Sequence, residues 1–116
     1  MKLSKNKYRQ TGRFLELVIL TLLSEEDLYG YNMIDKMENF GFKEDIPSLS
    51  TLYRRLNKME KEGMVSFKWL DSSEGPKQKI YQITDIGILE LDNWIDLIKN
   101  RRRKIDLIIK KYEENK

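Results

Sequence analysis

The chain has 116 residues, 40% of them hydrophobic and 35% charged, which suits one small globular domain with a single core. It holds no cysteine and no histidine. Disulfide frameworks, nearly all zinc sites and the common histidine-based dyads are therefore excluded, and with no glycine-rich phosphate loop the sequence argues against an enzyme, a metal centre or a resident cofactor. Net charge is only +3, and the chain carries neither a membrane-length apolar run nor the apolar core of a secretory signal, so a cytoplasmic location is expected.

Residues 1–13 carry Lys2, Lys5, Lys7, Arg9 and Arg13 with no acid. They read as a basic arm or short first helix lying on a phosphate backbone, or as a frayed terminus. Phe14 to Leu23 is apolar nearly all round and is predicted as the central core helix; a short buried strand is the rival, because Val18 and Ile19 favour strands. Ser24 to Asp27 reads as a turn, with Asp27 capping a helix from Leu28 to Phe40. Gly30 inside that helix costs about 1 kcal/mol against alanine, which points to close packing with a neighbour. Gly41 ends the helix, and 42–47 is a connection.

Ser48 to Gly63 is predicted as a helix with both ends marked. Pro47 holds the chain extended, Ser48 caps, and Gly63 stops. Leu49, Leu52, Leu56 and Met59 recur at steps of three and four and form one buried stripe. The other face carries Ser50, Thr51, Arg54, Arg55, Asn57 and Lys58, with no acid before Glu60. Hydroxyls, a tyrosine and arginines at a helix start suit phosphates and base edges in a DNA major groove. The plainer reading is a solvated face without functional contacts. With the helix before it, this one makes a helix-turn-helix arrangement.

Met64 to Leu70 alternates, with Val65, Phe67 and Trp69 on one face, and reads as a strand. Residues 71–76 form a turn cluster, and 77–83 the return strand, placing Lys77, Lys79, Tyr81 and Ile83 on one face. A recognition-type helix followed by a basic hairpin is the winged-helix pattern, the hairpin being a wing that reaches an adjacent groove or backbone. Ordinary protection of a hairpin edge is the plainer account of Lys68, Lys77 and Lys79.

Thr84 is the predicted cap of the last helix. Ile88, Leu91, Ile95, Ile98, Arg102, Ile105, Ile109 and Tyr112 follow at alternating steps of three and four, a heptad seam broken only by Arg102. Roughly 28 residues make a helix about 40 Å long, too long for so small a domain to cover. A second copy of the chain is the simplest cover, and a two-fold dimer would present two recognition helices to adjacent major grooves. Trp94 borders the seam, either as interface packing or as a stacking platform for a planar ligand between subunits. Arg101 to Lys104 reads as a solvated helix face, with a DNA contact as the rival reading.

Several pieces in order resemble the PadR family of bacterial transcriptional regulators: Leu28-Tyr29-Gly30-Tyr31, Ser50-Thr51-Leu52-Tyr53, Leu56 through Met64, the wing with Lys79-Ile80-Tyr81, and Ile83-Thr84-Asp85-Ile86-Gly87. The likeness covers about residues 14–110. A single long C-terminal helix is similar to the short branch of the family, which includes the lactococcal multidrug-binding regulator. The resemblance implies a homodimeric winged helix-turn-helix repressor that binds a near-palindromic operator and releases it when a small molecule binds, phenolic in some members and a flat, apolar drug in others. By position it assigns Ser50, Thr51, Tyr53 and Arg54 to the recognition helix, Lys77 and Lys79 to the wing, and Trp94 to ligand stacking.

The expected architecture is thus mainly α with a small β-hairpin: a winged helix-turn-helix DNA-binding domain over 1–83, with its basic segment 1–13, and a C-terminal dimerisation helix over 84–116. Expected DNA contacts are Ser50, Thr51, Tyr53, Arg54, Arg55, Lys58, Lys77 and Lys79. Expected dimer contacts are Ile88, Leu91, Ile95, Ile98, Ile105 and Ile109. Expected partners are double-stranded DNA, a second copy of the chain and a planar small-molecule effector at Trp94. The rivals are a winged-helix protein-interaction module that never binds DNA and a small-molecule sensor without DNA.

Overall fold

The apolar run at 14–23 forms a helix, and residues before it continue the same helix. In the computed structural model, which describes residues 2–72 and 75–116 and the side chains of 13–70 and 75–116, α1 spans Lys2–Glu25. The side chains of Lys2, Lys5, Lys7 and Arg9, and the hairpin tip at 73 and 74, lie outside the described residues. Val18, Ile19, Leu20, Leu22 and Leu23 of α1 are buried and form the centre of the core.

Leu28–Tyr29 then forms a short strand, β1, and α2 begins only at Gly30, running to Phe40. This corrects the expected helix start at Leu28. Asp27 is not the cap: residue 29 occupies that position without a side-chain cap hydrogen bond. Asp27 instead accepts a hydrogen bond from Gln82 Nε2 at 2.9 Å. A 3-10 turn at Lys43–Asp45 leads into α3, Leu49–Lys61. Ser48 caps α3 as expected, accepting from the Thr51 N–H at 3.2 Å. Gly41 (φ 108°) and Gly63 (φ 80°) adopt the left-handed turns that stop α2 and α3.

The buried stripe of α3 consists of Leu52, Leu56 and Met59. Leu49, expected to join it, is 49% exposed. It stands at the first helical position, ahead of the core that Leu52 reaches one turn later.

β2 (Val65–Ser72) and β3 (Gly75–Ile83) form the antiparallel hairpin, extending two residues further into the expected turn on each side. The sheet has three strands in the order β1-β3-β2, because Leu28 and Tyr29 pair with Tyr81 and Ile80. Phe67 lies opposite Tyr81, and Trp69 opposite Lys79. α4 runs from Asp85 to Glu114, capped by Thr84, whose Oγ1 accepts from the Gly87 N–H at 3.0 Å. Leu91 is buried in the core, with Trp94 and Ile95 packed against it. Beyond Ile95 every residue of α4 is exposed, and the molecule extends to 63 Å along its longest axis. The fold is mainly helical: a winged helix-turn-helix with a long C-terminal helix.

Candidate nucleic-acid interface

α3 is seated on the core by Leu52, Leu56 and Met59, so residues on its opposite side must face outward. Ser50, Thr51, Tyr53 and Arg54 are all exposed. The front of the helix is a hydroxyl cluster: Ser48 Oγ lies 3.2 Å from Ser50 Oγ and donates to Thr51 Oγ1 at 3.0 Å. These hydroxyls surround the positive end of the helix dipole, where an anion is favoured.

Arg55 and Lys58 are placed differently. Glu16 of α1 is 97% buried, and its Oε2 accepts from Arg55 at 2.8 Å and from Lys58 at 3.3 Å. A buried carboxylate must be paired or neutralised, and two cations from α3 pair this one. Lys58 also approaches Glu62 at 4.0 Å. The Arg55 side chain retains 27% of its exposure and that of Lys58 55%. Both therefore stand between an internal acid and the outer face. Sequence reasoning missed Glu16; a lone carboxylate in an otherwise apolar helix was the available signal.

The wing stands beside α3. Tyr53 and Asn57 of α3, Tyr29 of β1, Tyr31 of α2, and Trp69, Lys77, Gln78, Lys79 and Tyr81 of the hairpin together line a cleft of about 400 Å³. Of these, Tyr53, Lys77 and Lys79 were expected at a binding surface. Asn57 was read on the outward face of α3 but not among the expected contacts, and Tyr29, Tyr31, Trp69, Gln78 and Tyr81 were not expected there; the pairing of β1 with β3 brings Tyr29 and Tyr31 to the wing.

Aromatic rings line the cleft and support its wall. Tyr29 and Tyr31 lie nearly parallel at 5.6 Å. Phe67 meets Trp69 edge-on at 5.7 Å, and the Lys79 ammonium sits 4.1 Å from the Phe67 ring centre and 5.3 Å from that of Trp69. Tyr53 lies so close to Gly30 that a β-carbon there would be 2.5 Å from its hydroxyl, which explains the glycine. Burial first, then Tyr53 and Glu60, push the Tyr81 hydroxyl up to about 12, so it remains a proton donor at neutral pH. Among the described residues, no group of three His, Cys, Asp or Glu could hold a metal ion, and no helix is long and apolar enough to cross a membrane.

Trp94 is half-buried, and the Arg13 guanidinium covers its ring at 4.8 Å. Of the expected dimer residues, Leu91 belongs to the chain's own core and Ile95 is partly covered by it. Ile88, Ile98, Ile105 and Ile109 are 41–49% exposed.

A profile of the family described as "Transcriptional regulator PadR-like family" matches residues 19–93. The negative transcriptional regulator PadR of Bacillus subtilis is 31% identical over 88 residues, covering 72% of this chain and 46% of that protein. The chain thus spans about half the length of that relative. A PadR-like transcription factor from Bacteroides fragilis superposes with a TM-score of 0.80 at 26% identity, covering 90% of this chain and 98% of the other. A PadR-like regulator from Bacillus cereus does so at 0.71 and 32% identity, over 82% and 90%. B. subtilis PadR in complex with operator DNA superposes at 0.66 with 29% identity, over 72% and 47%.

Proposed function

The chain belongs to the PadR-like family of transcriptional regulators, and on that premise we propose that it is a homodimeric repressor that binds a near-palindromic operator and leaves it when a planar small molecule binds. The observation that carries the DNA reading is the cleft shared by α3 and the wing, which puts Tyr53 and Asn57 on one outer face with Lys77 and Lys79. Ser50, Thr51, Tyr53 and Arg54 read base edges and phosphates in the major groove, with Arg55 and Lys58 contributing where DNA draws them from Glu16. Lys77 and Lys79 contact the adjoining backbone. Residues 1–83 serve as the DNA-binding part and 84–116 as the dimerisation helix.

A repressing mode is supported by the negative regulation stated for B. subtilis PadR, and DNA as partner by that protein's operator complex. Dimerisation is supported by Ile98, Ile105 and Ile109, apolar side chains that are 41–49% exposed along one seam of α4. The effector seat rests on Trp94, whose ring a planar ligand would reach by displacing Arg13. Effector and DNA then oppose one another through the spacing of the recognition helices.

The test is fluorescence anisotropy with duplex DNA from upstream of the protein's own gene, against a scrambled duplex, across a salt series. Specific binding with a steep salt slope, abolished by Arg54→Glu, is expected. Absence of binding to either duplex at low salt would overturn the reading and favour the protein-interaction module.

A further inference from the structure

The cleft between α3 and the wing changes its chemistry with depth. Tyr81 lies at its floor: the residue is 1% exposed yet lines the cleft. Its hydroxyl keeps its proton at neutral pH and makes no hydrogen bond with the described residues. A buried tyrosine hydroxyl ordinarily finds a partner, so this one is a donor still to be used. Glu60 helps to hold that proton in place, and its own Oε2 is buried without a hydrogen-bond partner. Negative charge behind the floor repels an anion from it. The mouth is the reverse, with cations at Lys77 and Lys79 and no carboxylate among the described lining residues. The Lys79 ammonium rests over the rings of Phe67 and Trp69 and forms no ion pair with the described residues. Rings attract an ammonium without exhausting its three N–H donors.

We propose that this cleft binds a free nucleoside monophosphate, its base lying among the Tyr31 and Trp69 rings with an acceptor toward the Tyr81 hydroxyl, and its phosphate meeting Lys79. The seat is separate from Trp94, which stands on α4 beneath Arg13 and does not line the cleft. The site stands on its own lining, and only its regulatory consequence rests on the DNA reading. Tyr53 and Lys79 belong both to the cleft and to the proposed DNA contacts, so nucleotide and operator exclude one another directly. No change in the spacing of the recognition helices is needed.

The size and polar lining select a nucleotide over a smaller aromatic acid. A volume of about 400 Å³ takes a base, a sugar and a phosphate. The amides of Asn57 and Gln78 offer donors and acceptors to a base edge and to ribose hydroxyls, groups that a simple aryl acid would leave unmet. The walls are formed before any ligand arrives: Tyr29 and Tyr31 are already stacked, and Lys79 is already held by two rings. Preorganised rings and cations lose little freedom on binding.

The experiment titrates the intact protein with adenosine, guanosine, cytidine and uridine monophosphates by calorimetry, with the matching nucleosides and ribose phosphate as partial ligands. At least one nucleotide should bind saturably, and its nucleoside and ribose phosphate roughly tenfold more weakly. Trp69→Ala and Lys79→Gln should each weaken the nucleotide roughly tenfold, while Trp69→Phe retains most of the affinity. Trp69 is 56% exposed, so its variants should melt near the parent temperature. Tyr81→Phe should weaken the nucleotide about fivefold and leave the melting temperature at neutral pH unchanged, because the hydroxyl has no partner in the chain to lose. Operator duplex should raise the apparent dissociation constant of the nucleotide in proportion to the duplex added. Absence of saturable binding by every nucleotide at millimolar concentration would overturn the site, while operator binding by the same protein would still uphold the DNA reading. Ribose phosphate binding as tightly as the nucleotide would reduce the cleft to an attraction for phosphate and overturn the base seat. Affinity indifferent to all the cleft variants would place the nucleotide elsewhere and overturn the site as well. Nucleotide binding that depends on Trp69 and Lys79 in a protein that binds no duplex would uphold the site and overturn the DNA reading instead.

Discussion

A β-carbon on Gly87 would run into the carbonyl oxygen of Met64 and lie 2.8 Å from Ile83 Cγ1, at the point where α4 leaves the sheet. Backbone cannot move aside as a side chain can, so Gly87→Ala should destabilise the protein by about 2 kcal/mol or more and lower its melting temperature by roughly 5–10 °C. Gly30 is as tightly placed, but its neighbour is the far end of Tyr53. Gly30→Ala should therefore cost less than Gly87→Ala, about 1 kcal/mol, because the Tyr53 ring can swing aside, while moving Tyr53 and weakening the proposed DNA binding. Thermal melts and DNA titrations of both variants check the contrast. Tyr81 gives a pH signature. Its hydroxyl is raised from the ordinary 10.0 to about 12, so the unfolded chain ionises first. The stability this contributes is complete below pH 10 and is lost as pH rises toward 12, by an amount on the order of 2 kcal/mol. Urea melts between pH 9 and 12 should show this decline, and Tyr81→Phe should remove it. The close packing at Gly30 was expected from the sequence on the premise of an interior glycine; the packing is present, but Gly30 is the first residue of α2. Its partner was not, because Tyr53 lies on a different helix.

Between elements, Glu16 of α1 accepts from both Arg55 and Lys58 of α3. The pairs tie α3 to α1 beside the apolar stripe of Leu52, Leu56 and Met59, and they engage two cations that the proposed function assigns to DNA. Glu16→Gln should cost about 1–2 kcal/mol, less than the usual penalty for breaking a buried pair, because both cations can reach water. The same change should steepen the salt dependence of DNA binding by up to about two units, as the released cations meet phosphates. An unchanged slope would mean that neither cation reaches DNA. The elements themselves were unequally legible. α3 was marked by local chemistry, with Ser48 at one end and Gly63 at the other, and its limits hold in the structure. β1 has two residues, too few for any period, and exists because β3 pairs with it. That pairing delays α2 to Gly30, frees Asp27 to accept from Gln82, and carries Tyr29 and Tyr31 to the wing. None of this is local information, so the aromatic half of the cleft could not be read from the chain.

At the scale of the molecule, α4 divides into a stretch that meets the chain's own core and a stretch that is exposed throughout. The seam read from the sequence is one heptad pattern broken only by Arg102, yet Leu91 is 9% exposed, closing the chain's own core, whereas Ile98, Ile105 and Ile109 are 41–49% exposed. Periodicity shows that a face is apolar; it cannot show which stretch the chain's own core covers and which it leaves exposed. The two halves should therefore fail differently. Leu91→Ala removes buried methyl groups and should cost about 2–4 kcal/mol whatever the oligomeric state. Ile98→Glu with Ile105→Glu replaces two exposed side chains, so the fold should persist while the proposed dimer separates. Sedimentation equilibrium should then give the mass of one chain with an unchanged far-ultraviolet spectrum. DNA affinity should fall on the order of 100-fold, because each half-site must then be held without the second recognition helix tethered beside it. If the double variant remained dimeric, the exposed face of α4 would belong to some other partner, and the spacing mechanism proposed for effector release would lose its basis. If it became monomeric and bound the operator undiminished, one recognition helix and wing would suffice, and two-fold symmetry would not be required for recognition.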